Sequence, residues 1–81
     1  MPTVMRIGAY RLYFFSHEPF EPIHIHVDRD KYTAKFWVNP VQLAKNIGFG
    51  SEELNKIEKL VIENESKIKE AWDGYFGENV R

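Results

Sequence analysis

The stretch Glu21-Pro22-Ile23-His24-Ile25-His26-Val27-Asp28 alternates apolar and polar residues one by one from Ile23 onward. Successive side chains of an extended chain point to opposite faces. This is therefore a half-buried strand with Ile23, Ile25 and Val27 on one side and His24, His26 and Asp28 on the other. Two of the three histidines look the same way. Imidazole titrates near neutrality, and two such rings beside a carboxylate can bind a metal, shuttle a proton or grip a phosphate.

Downstream, Asp28-Arg29-Asp30-Lys31 is a polar turn, and Tyr32 to Val38 alternates again, with Tyr32, Ala34, Phe36 and Val38 against Thr33, Lys35 and Trp37. The two runs are expected to pair as a hairpin. Upstream, residues 16–22 hold two prolines and read as a loop. Before it, Val4 to Ile7 and Tyr10 to Phe15 flank Gly8-Ala9, with Gly at the first central position of a type II′ turn. Tyr10, Leu12 and Phe14 alternate against Arg11, Tyr13 and Phe15, so both faces of this strand are rich in apolar or aromatic residues and it belongs inside the sheet.

The second half changes period. Asn39-Pro40 reads as a helix start, with Asn as cap, Pro at the first helical position and Gln42 completing a capping box. Gly48 then ends a short helix, with Phe49 making the apolar contact of its C-cap. Ser51 caps a second helix whose first turn carries Glu52 and Glu53 at the positive end of the helix dipole. Leu54, Ile57, Val61, Ile68, Ala71 and Tyr75 form a seam interrupted by Asn64, with Leu60, Trp72 and Phe76 widening it, which extends this helix to about Phe76. The expected fold is α+β: a mainly antiparallel four-stranded sheet from the first half, packed by a short and a long helix in the order ββββαα, as one domain over residues 1–81.

A chain of 81 residues buries only about 60% of its unfolded surface, but twelve aromatic residues can supply a core. Cysteine is absent, which excludes disulfides and thiolate metal sites. The N-terminus has no apolar signal region, and no run is apolar enough to span a bilayer, so a soluble cytoplasmic protein with no membrane contact is expected. The formal net charge of −1 gives no global basic field, so any nucleic-acid contact must be local. A helix-turn-helix over residues 40–66 has the right size, but its second helix would bring Glu52 and Glu53 to the groove where bases are read.

Three readings of the histidine strand stay open. His24 and His26 can converge on a metal with Asp28, Glu18 or His17, although the fixed spacing of a zinc motif is missing. They can serve as acid and base on RNA, with Lys35 and Arg11 as phosphate-facing cations and Tyr13, Trp37 and Lys35 as a nucleic-acid-binding surface. Or both rings are structural, and the protein is a non-catalytic interaction module whose long helix and aromatics bind a partner. No cofactor and no dedicated metal ligand is assigned.

Several short motifs stand in a telling order: Met1-Pro2-Thr3-Val4-Met5-Arg6-Ile7, Tyr10-Arg11-Leu12-Tyr13-Phe14-Phe15-Ser16, Pro22-Ile23-His24-Ile25-His26-Val27, Ala34-Lys35-Phe36-Trp37 and Ala71-Trp72-Asp73-Gly74-Tyr75-Phe76. Through them the chain resembles, over nearly its whole length, the small bacterial family called domain of unknown function 4160. His24 and His26 match its pattern directly. Ile23 stands where the family usually has a second proline, and Ser16-His17-Glu18 stands where a Ser-Asn-Glu-like sequence is usual. The resemblance implies one half of a toxin-antitoxin-style gene pair. The expected function is thus a toxin-antitoxin-like component, with ribonuclease-type activity as a candidate, acting on RNA or through a small antitoxin-like protein or a homodimer.

Overall fold

A computed structural model describes residues 3–15 and 21–76. Five strands come first, β1 (Thr3–Ile7), β2 (Tyr10–Tyr13), β3 (His24–Arg29), β4 (Tyr32–Val38) and β5 (Val41–Ile47), followed by two helices, α1 (Ser51–Glu63) and α2 (Glu65–Phe76). The strands form one antiparallel meander in sequence order, so β3 is central. The α+β class is as expected, with five strands in place of four. Residues 16–20, including His17 and Glu18 and most of the expected proline loop, lie outside the described residues.

Local chemistry accounts for the first two hairpins. Ile7 and Tyr10 pair across Gly8-Ala9, and Gly8 has φ of 58° while Ala9 is not left-handed, as a type II′ turn requires. Arg29 pairs with Tyr32 across Asp30-Lys31, and Asp30 takes φ of 56°, a conformation that a short polar side chain tolerates.

The largest correction is at residues 41–47, which form an edge strand and not a helix. Val38 pairs with Val41, Trp37 with Gln42 and Phe36 with Leu43, so Asn39-Pro40 is a two-residue hairpin turn with a cis peptide bond. A bulge opposite Lys35/Phe36 then lets Ala44 slip out of register, so Lys45 and Ile47 fall on the same face as Gln42. The bulge breaks the strand alternation, which hid the strand from a periodicity reading. The outer edge of β4 carries backbone groups that need partners, and β5 supplies them. A helix-turn-helix over residues 40–66 is excluded by the same observation.

The long helix is also corrected, into two. Asn64 closes α1 with φ of −110°, and its side-chain amide donates to the Leu60 carbonyl at 2.8 Å, a local bond that competes with helical geometry. Ile68 still donates to the Asn64 carbonyl at 3.0 Å, so the interruption is confined to one residue. The cap before α1 is Gly50, with extended backbone and no side-chain bond, so Ser51 is the first helical residue and not a cap. Phe49 is buried as expected, but by different means. Asn46 grips its backbone twice, accepting from its N–H at 3.1 Å and donating to its carbonyl at 3.0 Å, and its ring packs on Tyr32. Gly48, with φ of 103°, lies so close to the Tyr32 ring that a Cβ would overlap it.

Both helices lie on one side of the sheet. Ile57, Val61, Ile68 and Trp72 meet Tyr10, Leu12, Phe14, Ile25, Val27, Ala34, Phe36 and Val38 in a single buried cluster. Each fully buried aliphatic or aromatic side chain of this kind stabilises the fold by about 1.5–3 kcal/mol before entropy is counted. Tyr75, expected on the seam, is 51% exposed, with its ring 5.4 Å from that of Phe14 and 5.1 Å from that of Phe76. A charged clamp fixes the start of α1 to the sheet: Arg29 grips Glu53 through Nε at 2.5 Å and a terminal nitrogen at 2.7 Å, and the Tyr10 hydroxyl donates to the same carboxylate at 2.7 Å. These bonds hold Glu53 below the usual carboxylate range and raise Arg29.

Candidate functional site

Because the helices cover the Ile25/Val27 face, His24 and His26 belong to the opposite face, as the alternation predicts. The strand register lays three rows across that face. Tyr13, His26, Lys35 and Lys45 stand side by side on β2, β3, β4 and β5, flanked by the row Arg11, Asp28, Thr33 and Ile47 and by His24, Trp37 and Gln42. The middle row borders a cavity of about 340 Å³ lined by Tyr13, Phe15, His26, Thr33, Lys35, Lys45 and Ile47.

The two histidines differ. Their rings meet edge to face with centroids 5.2 Å apart, yet His24 is 0% exposed. Its Nδ1–H donates to the Pro22 carbonyl at 2.9 Å, since that oxygen can only accept. The Trp72 ring of α2 lies 5.1 Å from it and Trp37 5.9 Å. His26 is half-buried, stacked on Tyr13 at 5.3 Å with planes 19° apart and touched edge-on by Phe15 at 4.6 Å. His26 borders the cavity and His24 does not.

Tyr13 is buried, and its hydroxyl donates to Asp28 at 3.0 Å. Burial first, then that carboxylate, raises its pKa, so it stays a neutral donor across the physiological range. Lys35 donates to Glu21 at 2.6 Å and lies 4.7 Å from the centre of the Trp37 ring. Arg11 lies over Tyr13 at 4.6 Å with its Nε donating to Thr3. The structure therefore gathers Tyr13, His26 and Lys35 at the cavity, and leaves Arg11, Trp37 and His24 beside it. Phe15, Thr33, Lys45 and Ile47 were missed as site residues. For Lys45 and Ile47 the cause is the helix reading of residues 41–47, and the signal that finds them is the two-residue spacing of Val38-Asn39-Pro40-Val41, which suits a hairpin as well as a cap.

Among the described residues no three His, Cys, Asp or Glu side chains converge as a metal site requires. Of the other metal ligands considered, His17 and Glu18 lie outside the described residues, and Asp28 is engaged by Tyr13. A larger hollow of about 670 Å³ lies at the start of α1, but Glu52 and Glu53 line it and Glu53 is committed to Arg29 and Tyr10. The chemistry-bearing groups are at the smaller cavity.

A family model described as "Domain of unknown function (DUF4160)" matches residues 9–73. The chain belongs to the DUF4160 family. The matched span runs from β2 to Asp73 within α2, so in this DUF4160 protein it contains all three rows of the histidine face from β2 to β5, α1 and the part of α2 that carries Trp72. No curated protein and no solved structure matches the chain. Among the described residues no helix is long and apolar enough to cross a membrane.

Proposed function

We propose that the open face of the sheet binds single-stranded RNA, as the working surface of a toxin-antitoxin-like DUF4160 protein. The observation that carries this reading is the row Tyr13, His26, Lys35 and Lys45 along the cavity, with Arg11 one row away. Cations beside aromatic rings on an antiparallel sheet are what unpaired bases and their phosphates need, because stacking tolerates any base and ammonium groups neutralise the backbone. Charge distribution supports it. The described residues up to Gly50 carry six Lys or Arg against three Asp or Glu, while Ser51–Phe76 carry four against seven, so a polyanion is drawn to the sheet half and repelled by the helices.

For cleavage, His26 is the imidazole placed to exchange a proton with a bound ribose, and Lys35 and Lys45 are the cations placed to steady a phosphate. Arg11 extends the charged surface at one side of the row. The burial of His24 and its bond to Pro22 favour one part of the interaction-module reading, in which this ring holds the entry to β3.

The test is fluorescence anisotropy of a labelled single-stranded RNA across a salt series, with product analysis on a gel. With three phosphates neutralised by Arg11, Lys35 and Lys45, log K should fall with log salt at a slope of about −2, and Lys35→Ala should flatten it by about 0.7. Induced expression should arrest growth, and the Lys35→Ala, Lys45→Ala protein should not. RNA binding that these substitutions leave unchanged overturns the reading, as does a wild type that neither binds RNA nor arrests growth.

A further inference from the structure

Lys35 and Lys45 stand directly opposite each other on one face of the β4–β5 ladder. Like charges in that position repel, and a sheet keeps them at a cost unless something negative lies between or beside them. Lys35 has Glu21, whereas the Lys45 ammonium makes no ion pair or hydrogen bond among the described residues. Both line the cavity of about 340 Å³, together with the Thr33 side chain and the His26 imidazole. The remaining walls are apolar, with Phe15 half-buried and Ile47 50% exposed. A cavity with two cations at its β4–β5 side, beside Ile47, and the Phe15 ring against His26 at its β2–β3 side suits a ligand with a compact anionic end and a flat, weakly polar body.

We propose that this cavity is a mononucleotide subsite, taking one nucleoside phosphate unit with its phosphate between Lys35 and Lys45 and its base against Phe15. The inference rests on the RNA reading of the same face and sharpens it: the surface has one discrete, saturable nucleotide position and is not a uniform charged strip. A free mononucleotide and a nucleotide within a chain share this chemistry, and the two are separated by experiment.

The test is a titration of the full chain with adenosine and uridine 5′-monophosphate and with inorganic phosphate, followed by amide chemical shifts. The expected result is saturable change confined to Phe15, His26, Thr33, Lys35, Lys45 and Ile47, with inorganic phosphate binding more weakly than either nucleotide. Lys45→Ala should weaken nucleotide binding by about tenfold, the loss that one charge-assisted hydrogen bond carries. Ile47→Asp, at an exposed edge position, should abolish it by placing a carboxylate beside the phosphate while leaving the spectrum folded. Shifts that do not saturate, or that neither substitution alters, overturn the subsite. If RNA binds as proposed but the mononucleotides do not, the subsite falls and the RNA surface stands. If mononucleotides saturate the cavity and RNA does not bind, the subsite stands for a free nucleotide and the RNA reading falls.

Discussion

The two faces of the sheet alternate residue by residue along β3 and are built for different tasks. Ile25 and Val27 are sealed under α1 and α2, where Ile57, Val61, Ile68 and Trp72 close the core. On the opposite face His26, Lys35 and Lys45 keep polar atoms at a cavity, and the repulsion between the two lysines is tolerated there because the covered face carries the stability. His24 is the exception that defines the boundary. It belongs to the open face by alternation but is sealed by Trp72 and the Pro22 carbonyl, so burial follows the tertiary surroundings and not the face alone.

The strongest way to break this division is Trp72→Ala. The ring packs on Phe14, Phe76 and His24, so its loss should cost about 3–5 kcal/mol in urea unfolding. A loss below about 1 kcal/mol would mean that α2 does not close the core. Comparing the two histidines comes next. His24→Ala should lower stability by about 2–3 kcal/mol through its void and the unpaired Pro22 carbonyl, whereas His26→Ala should stay within about 1 kcal/mol. Equal losses would erase the distinction between them.

A smaller effect, dependent on pH, is expected at the clamp on the covered side. Glu53 is held below its ordinary pKa by Arg29 first and Tyr10 second. Its folded value is depressed, so its contribution is fully present above its unfolded pKa, about 4.3, and is lost as pH falls through the lower folded value. Glu53→Gln should be less stable than the wild type at pH 7, with the difference shrinking at the acid end of a thermal melting series. A constant difference down to about pH 2 would remove the ion pair as its cause. The smallest expected change is in Lys45→Ala, within about 0.5 kcal/mol in stability because the residue is exposed. Its RNA salt slope should nonetheless flatten by about 0.7, and an unaltered slope would place the phosphates elsewhere.

Much of this was legible in the residues. The alternation of Ile23 to Asp28 puts the histidines on the face opposite Ile25 and Val27, the span of β4 matches Tyr32 to Val38, and the helical region reaches Phe76 as the seam predicts. Part of the site was legible as well, since Tyr13, His26 and Lys35 follow from strand parity. Lys45 and Ile47 were not, because Asn39-Pro40 satisfies the rules of a helix start and of a tight turn alike, and the Ala44 bulge removes the two-residue period that decides between them.

The sequence by itself determined the α+β class, the two faces of each strand through β4 and the apolar stripe of the helices, because all of these depend on side-chain periodicity within one segment. Only the tertiary structure decided that residues 41–47 join the sheet, and that His24 is sealed while His26 borders the cavity. Those outcomes depend on partners distant in the chain: the open backbone edge of β4, which needed a strand, and the Trp72 ring, which came to rest beside one histidine and left the other at the cavity.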